Sequence, residues 1–175
     1  MRAQFVWPLA LAAGVAGVAV AARAVLPLPF TAVPVSLQGL AVLLTGGLFG
    51  AGVGAGAMVV YLALGALGVP VFAGGGSGLT HLLGPTGGYL FAFPLAAFVT
   101  GRIAERGKPL RCLSGAALGM ALLHLVGLTW LAIATGRPLS SAVAGLGPVA
   151  WSDLAKVLVA TLVLWQFAGT LRPRA

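Results

Sequence analysis

Apolar residues in this chain fall in long unbroken blocks. They do not follow the alternating or every-third-or-fourth pattern that gives a water-soluble fold its inside and outside. Such blocks predict helices that are apolar on every side. Six are readable, at about 5–23, 35–50, 51–69, 88–104, 112–134 and 152–170. The second and third fall short of the roughly 20 residues that cross a bilayer comfortably. Gly46-Gly47-Leu-Phe-Gly50-Ala-Gly52 between them predicts a tight glycine turn, and Pro34 to Pro70 is too long for one crossing. The expectation is an all-α membrane protein, a bundle of six transmembrane helices in a single integral domain over residues 1–175.

The breaks between blocks are more than connectors. Residues 26–38 and 69–89 are rich in Pro and Gly, yet still apolar. Non-helical backbone at membrane depth is tolerated only where protein or a cavity covers it. Both loops are therefore expected to be re-entrant or lid-like caps over an outward cavity. No internal repeat stands out, so an inverted-repeat transporter has no support.

Composition agrees with the membrane. Hydrophobic residues make up 60% and charged residues 7%, against about 25% charged in soluble domains, and mean hydropathy is +1.09. The net charge of +8 is not gathered into a basic stripe with interleaved aromatics, so nucleic acid is not an expected partner. The cations read as topology signals instead. With both termini inside, Arg2, Arg102, Arg106, Lys108, Arg111, Arg172 and Arg174 face the cytoplasm. Arg23 and Arg137 fall outside, as the positive-inside rule asks. Trp7 and Trp165 would then mark the inner interface, Trp130 and Trp151 the outer one. The first block also has features of a secretory leader ending at Ala21-Ala-Arg-Ala24, but it is long enough to be a span and no soluble domain follows it. The expected location is the bacterial inner membrane, multi-pass, with cytoplasmic termini. The single cysteine, Cys112, excludes an intrachain disulfide.

Two acidic residues remain to carry chemistry. Glu105 sits among cations in a solvated cluster, whereas Asp153 stands three residues before Lys156 at the head of the last block. That spacing puts both side chains on one helix face. A carboxylate there costs up to about 2.5–3.5 kcal/mol at the helix centre, less toward the interface. The pair is read as a ligand-binding pair rather than a self-satisfied ion pair with Lys156 snorkelling outward. Glycines 74–76 and 78 lack the ending and spacing of a phosphate loop, which leaves a flexible cap as their use. Gly84-Pro-Thr-Gly-Gly-Tyr89 opens the fourth span, with Thr86 a candidate N-cap; a turn plus a belt tyrosine is equally open. Gln38 can offer an amide to the cavity. His124, mid-span, is expected to be a hydrogen-bonded core residue, and His81 is isolated. Neither metal-site spacing nor a Ser-His-acid set is present, so no cofactor, metal or catalysis is expected. Ala12 with Ala16, and Ala13 with Gly17 and Ala21, form small-residue faces on the first span. Internal packing and docking of another membrane subunit are both open there.

Four runs together resemble a known family: Pro34-Val-Ser-Leu-Gln38, Tyr61-Leu-Ala-Leu-Gly-Ala-Leu-Gly-Val-Pro70-Val-Phe72-Ala-Gly74, Gly84-Pro-Thr-Gly-Gly-Tyr89 and Asp153-x-x-Lys156. They are similar, over roughly residues 25–165, to the BioY family, the biotin-binding S components of energy-coupling factor (ECF) transporters. The resemblance implies an S-component fold with an outward biotin pocket under the two Pro/Gly loops. It implies ATP hydrolysis by partners, namely a transmembrane coupling subunit and two cytoplasmic ATPases, and substrate release by toppling in the membrane. It assigns the small-residue face of the first span to docking on the coupling subunit. Gly74-Gly75-Gly76 departs from the polar or bulky residues that members often carry there. The expected biotin contacts are Asp153 and Lys156 on the ureido ring, with Phe72 and Tyr89 over the thiophane ring and tail; the reverse orientation, with Lys156 on the carboxylate, stays open. Gln38, Gly75, Thr86, Gly87 and Gly88 complete the expected set. An S component for another vitamin, a lipid-modifying membrane enzyme and a structural subunit are the competing readings.

Overall fold

A computed structural model describes residues 3–29 and 34–168; Phe30, Thr31, Arg2, Arg172 and Arg174 lie outside the described residues. In chain order the helices are α1 (Ala3–Ala21), α2 (Gln38–Phe49), α3 (Ala51–Ala66), α4 (Gly78–Leu82), α5 (Gly87–Ile103), α6 (Pro109–Thr135), α7 (Leu139–Ala144) and α8 (Gly147–Phe167). The expected helical blocks are present, with shifted ends. Pro109 occupies the first turn of α6, where its missing N–H removes no helical bond, so the helix starts before 112. A proline in the first turn likewise lets α8 start at Gly147 rather than 152. Gly136 in the left-handed conformation closes α6.

Among the described residues, α5 with its continuation to Arg106, α6 and α8 are long and apolar enough to cross a membrane, while the apolar parts of α1, α2 and α3 are shorter. At 1.5 Å per residue, α2 reaches only about 18 Å. Gly50, Gly46 and Gly47 of the 46–52 stretch divide into two roles. Gly50 alone makes the turn, at φ 92°. Gly46 stays inside α2, where a Cβ would run into the backbone of Ala97. The expected glycine turn is thus one residue, while Gly46 and Gly47 allow close approach of Ala97 and Leu164. α5 lies at the centre, packed against α6, α3 and α2, and α8 closes the bundle on α6 and α2.

A buried core runs through Val42, Leu43, Met58, Tyr61, Ala96 and Ala97. The outside is no more polar: Leu9, Val20, Val59, Leu125, Leu158 and Leu162 are all exposed. Such a surface has bilayer hydrocarbon as its natural solvent.

Two features depart from a purely helical expectation. Val25–Leu26 (β1) pairs antiparallel with Val35–Ser36 (β2), Val25 opposite Ser36. This folds the first loop back over the helix ends. The second loop is tied to it, because Gly74 N–H donates to Ala22 O at 3.0 Å and Arg23 donates to Pro70 O at 2.7 Å.

Candidate functional site

Under these loops lies a cavity of about 370 Å³, within the roughly 300–1,000 Å³ range of small-molecule sites. It is built where α2, α5 and α8, from their starts, meet the middle of α6, roofed by Val25, Pro27, Pro34 and Ser36 and by Ala73 and Gly74. The basic α5–α6 junction lies at the far end of α5, about 25 Å along the helix axis.

α8 supplies the polar wall. Val149, Asp153 and Lys156 recur at i, i+4 and i+7, so one buried stripe of the helix faces the cavity. The stripe continues through Ala160 and Leu164, both fully buried. Asp153 and Lys156 are each only 8% exposed, and Lys156 Nζ donates to Asp153 Oδ1 at 2.7 Å. The second oxygen, Oδ2, accepts from His124 Nε2 at 3.0 Å. His124 Nδ1 lies 3.3 Å from the Tyr89 hydroxyl. A continuous chain Lys156–Asp153–His124–Tyr89 therefore joins α8, α6 and α5 along one wall. Met120 and Leu123, on the same face of α6 as His124, make the wall beside it apolar, with Leu90 and Phe93 of α5.

Of the residues expected at the site, Asp153, Lys156, Tyr89, Gln38 and Thr86 line the cavity. Gln38 is buried, and its amide donates to the Tyr61 hydroxyl at 2.9 Å, which in turn donates to Val71 O. Thr86 occupies the N-cap position of α5 but makes no side-chain capping bond. Four expected residues are not brought to the cavity wall. Phe72 is fully buried behind His81, stacked on it with centroids 5.3 Å apart. Gly65 makes the room, because a Cβ there would strike the Phe72 ring. Gly75 sits beside the Arg23 guanidinium instead. Gly87 and Gly88 are buried where α5 meets Leu82 and Trp130, so they set the approach of α5 to its neighbours. Trp130, expected as a belt residue, is half-buried and donates to Gly84 O at 2.9 Å.

The sequence points to His124 as a hydrogen-bonded core residue and gives His81 no role. Both line the cavity. A usable signal existed for His124: it shares a helix face with Met120 and Leu123, which makes it the polar member of an otherwise apolar stripe. Of the proposed docking residues, Ala12, Ala13, Ala16 and Gly17 are exposed on α1 and Ala21 is half-buried; the opposite face, with Gly14 and Val18, packs inward.

Residues 4–172, nearly the whole chain, match the BioY family. The chain belongs to the BioY family. It is 35% identical to the biotin transporter BioY of Thermotoga maritima, over 86% of this chain and 90% of that protein. To the biotin transporter BioY of Rhodobacter capsulatus it is 38% identical, over 86% and 85% of the two chains. The fold matches the crystal structure of the S-component for biotin from an ECF-type ABC transporter with a TM-score of 0.85. That match covers 91% of this chain and 89% of the other, at 25% identity. The glycines of residues 84–88 belong largely to helix packing, while Tyr89 and the Asp153/Lys156 pair reach the cavity.

Proposed function

We propose that this chain is the substrate-capture subunit of a biotin uptake transporter, binding biotin in the cavity beneath the two outer loops. The observation that carries the proposal is the buried Asp153–Lys156 pair opening onto an otherwise mostly apolar cavity. A buried ion pair is a poor source of stability by itself. It is well suited to a ureido ring, which offers two N–H donors and one carbonyl acceptor. The Asp153 oxygens accept from N–H, and Lys156 Nζ has donors left for the carbonyl after its bond to Asp153. Such charge-assisted bonds contribute about 1.5–3 kcal/mol each. Leu90, Phe93, Met120 and Leu123 then cover the thiophane ring and alkyl tail. The carboxylate is held at the opening of α5 or by an outer-loop cation.

Membership of BioY, and the likeness to a biotin S-component of an ECF-type transporter, support association with an ECF module. In our reading that module is a transmembrane coupling subunit with two cytoplasmic ATPases, docked through the small-residue face of α1. The chain itself is then a binding protein and not an enzyme. It sits in the inner membrane, with both termini and the 102–111 cluster cytoplasmic and the cavity outward. Calorimetry of the purified protein with biotin, thiamine and riboflavin tests the proposal. Tight binding of biotin alone supports it; preference for either other vitamin, or no binding, ends it.

A further inference from the structure

His124 belongs to no motif of the sequence, yet both of its ring nitrogens are engaged. Nε2 lies 3.0 Å from Asp153 Oδ2 and Nδ1 3.3 Å from Tyr89 Oη. Asp153 also accepts from the Lys156 ammonium through Oδ1, as an ionised carboxylate does. A carboxylate only accepts, so His124 Nε2 must carry a proton. In the neutral ring Nδ1 is then bare, and the Tyr89 hydroxyl donates to it. Tyr89 is left with only lone pairs to show the cavity. A second proton on the ring reverses this: Nδ1–H donates to Tyr89, whose own hydroxyl proton turns toward the ligand. The number of protons on this ring, set back from the ligand, thus decides whether Tyr89 accepts or donates.

We infer that His124 is a positioning residue which, as the neutral Nε2–H tautomer, sets Tyr89 and Asp153 as a pair of acceptors beside the Lys156 donor. Two acceptors and one donor are the number that the two N–H groups and one carbonyl of a cyclic urea call for. The inference rests on the biotin reading and deepens it. It also gives that site a pH dependence. The charged and titratable groups facing the ring are Tyr89 of α5 and Asp153 of α8, with Lys156 behind Asp153; His81 of α4 lines the same cavity. A ligand N–H facing Tyr89 finds an acceptor while His124 is neutral and a competing donor once it is charged.

The test is calorimetry of the full chain with biotin at about pH 8 and about pH 5.5, on either side of the free imidazole range, for the native protein, His124→Gln and His124→Phe. A glutamine amide can donate to Asp153 and accept from Tyr89, and it takes up no second proton. Phenylalanine keeps the bulk and does neither. At the higher pH we expect His124→Gln to bind within about fivefold of native, and His124→Phe to bind about tenfold or more weakly. On acidification native binding weakens, and His124→Gln loses most of that slope. His81 is present in both proteins, so the difference between the two slopes belongs to His124. If His124→Phe fails to fold, as its unfolding midpoint reports, the slope comparison decides alone. A Phe variant that binds like native, or a Gln variant that keeps the native slope, overturns the role of His124 while biotin binding stands. A native protein that binds no biotin at either pH overturns the biotin reading and this inference together.

Discussion

Asp153 and Lys156 are the residues whose removal separates binding from stability. Taking one partner from a buried ion pair leaves the other charge uncompensated, at about 3–5 kcal/mol, whereas replacing both is far milder. Asp153→Leu is expected to lower the unfolding midpoint more than Lys156→Met, because His124 still faces Asp153 when the lysine is gone. The double variant should recover most of that loss. Biotin affinity should nevertheless fall by about tenfold or more in all three, since each removes a charge-assisted bond to the ligand. Thermal unfolding beside calorimetry reads both quantities; a double variant with native affinity would detach the pair from the ligand. These two residues were legible because an acid and a base are rare in so apolar a chain and three residues set them on one helix face. Phe72 was misplaced for a reason the chain alone hides. A large aromatic in a Gly-rich loop reads as a ligand cover, but Gly65, seven residues earlier on α3, vacates the space that takes its ring behind His81. His124 was missed as a cavity residue because its two partners lie 35 and 29 residues away, on other helices.

The elements were legible wherever the apolar blocks were long, and blurred where proline or glycine has two uses. Pro109 ends a loop in one reading and starts a helix in the structure. The strand pairing spans two residues on each side, and α4 and α7 have only five and six residues, too few for a period to show. Helix packing gives the sharper tests. Gly46→Ala places a methyl against the Ala97 backbone, which cannot swing aside as a side chain can. It should cost about 1–3 kcal/mol or more, although alanine is the better helix former. Gly17→Leu is the counterpart on the outward face of α1, where a Cβ meets nothing within 4 Å. That variant should fold and bind biotin as the native chain does, yet lose co-purification with the coupling subunit and lose uptake. Native assembly of Gly17→Leu would move the docking face elsewhere.

At the scale of the whole molecule, the main cluster of cations and the cavity lie at opposite ends. Arg102, Arg106, Lys108 and Arg111 gather at the α5–α6 junction, with Glu105 paired to Arg102 at 2.8 Å. Arg23 and Arg137 lie at the cavity end, beside the loops. Cations are held back on the cytoplasmic side during insertion, so the junction should face inward and the cavity outward. Labelling checks this directly, because the chain has one cysteine and it is buried. In a Cys112→Ala background, Lys108→Cys and Arg137→Cys each place a single thiol at an exposed position, one at either end. A membrane-impermeant maleimide added to intact cells should label Arg137→Cys and leave Lys108→Cys untouched until the membrane is opened. Saturating biotin should slow neither reaction by much, since neither position lines the cavity. Labelling of Lys108→Cys from outside would invert the molecule. The cavity would then open to the cytoplasm, and a capture role would no longer fit a chain whose binding site never meets external substrate.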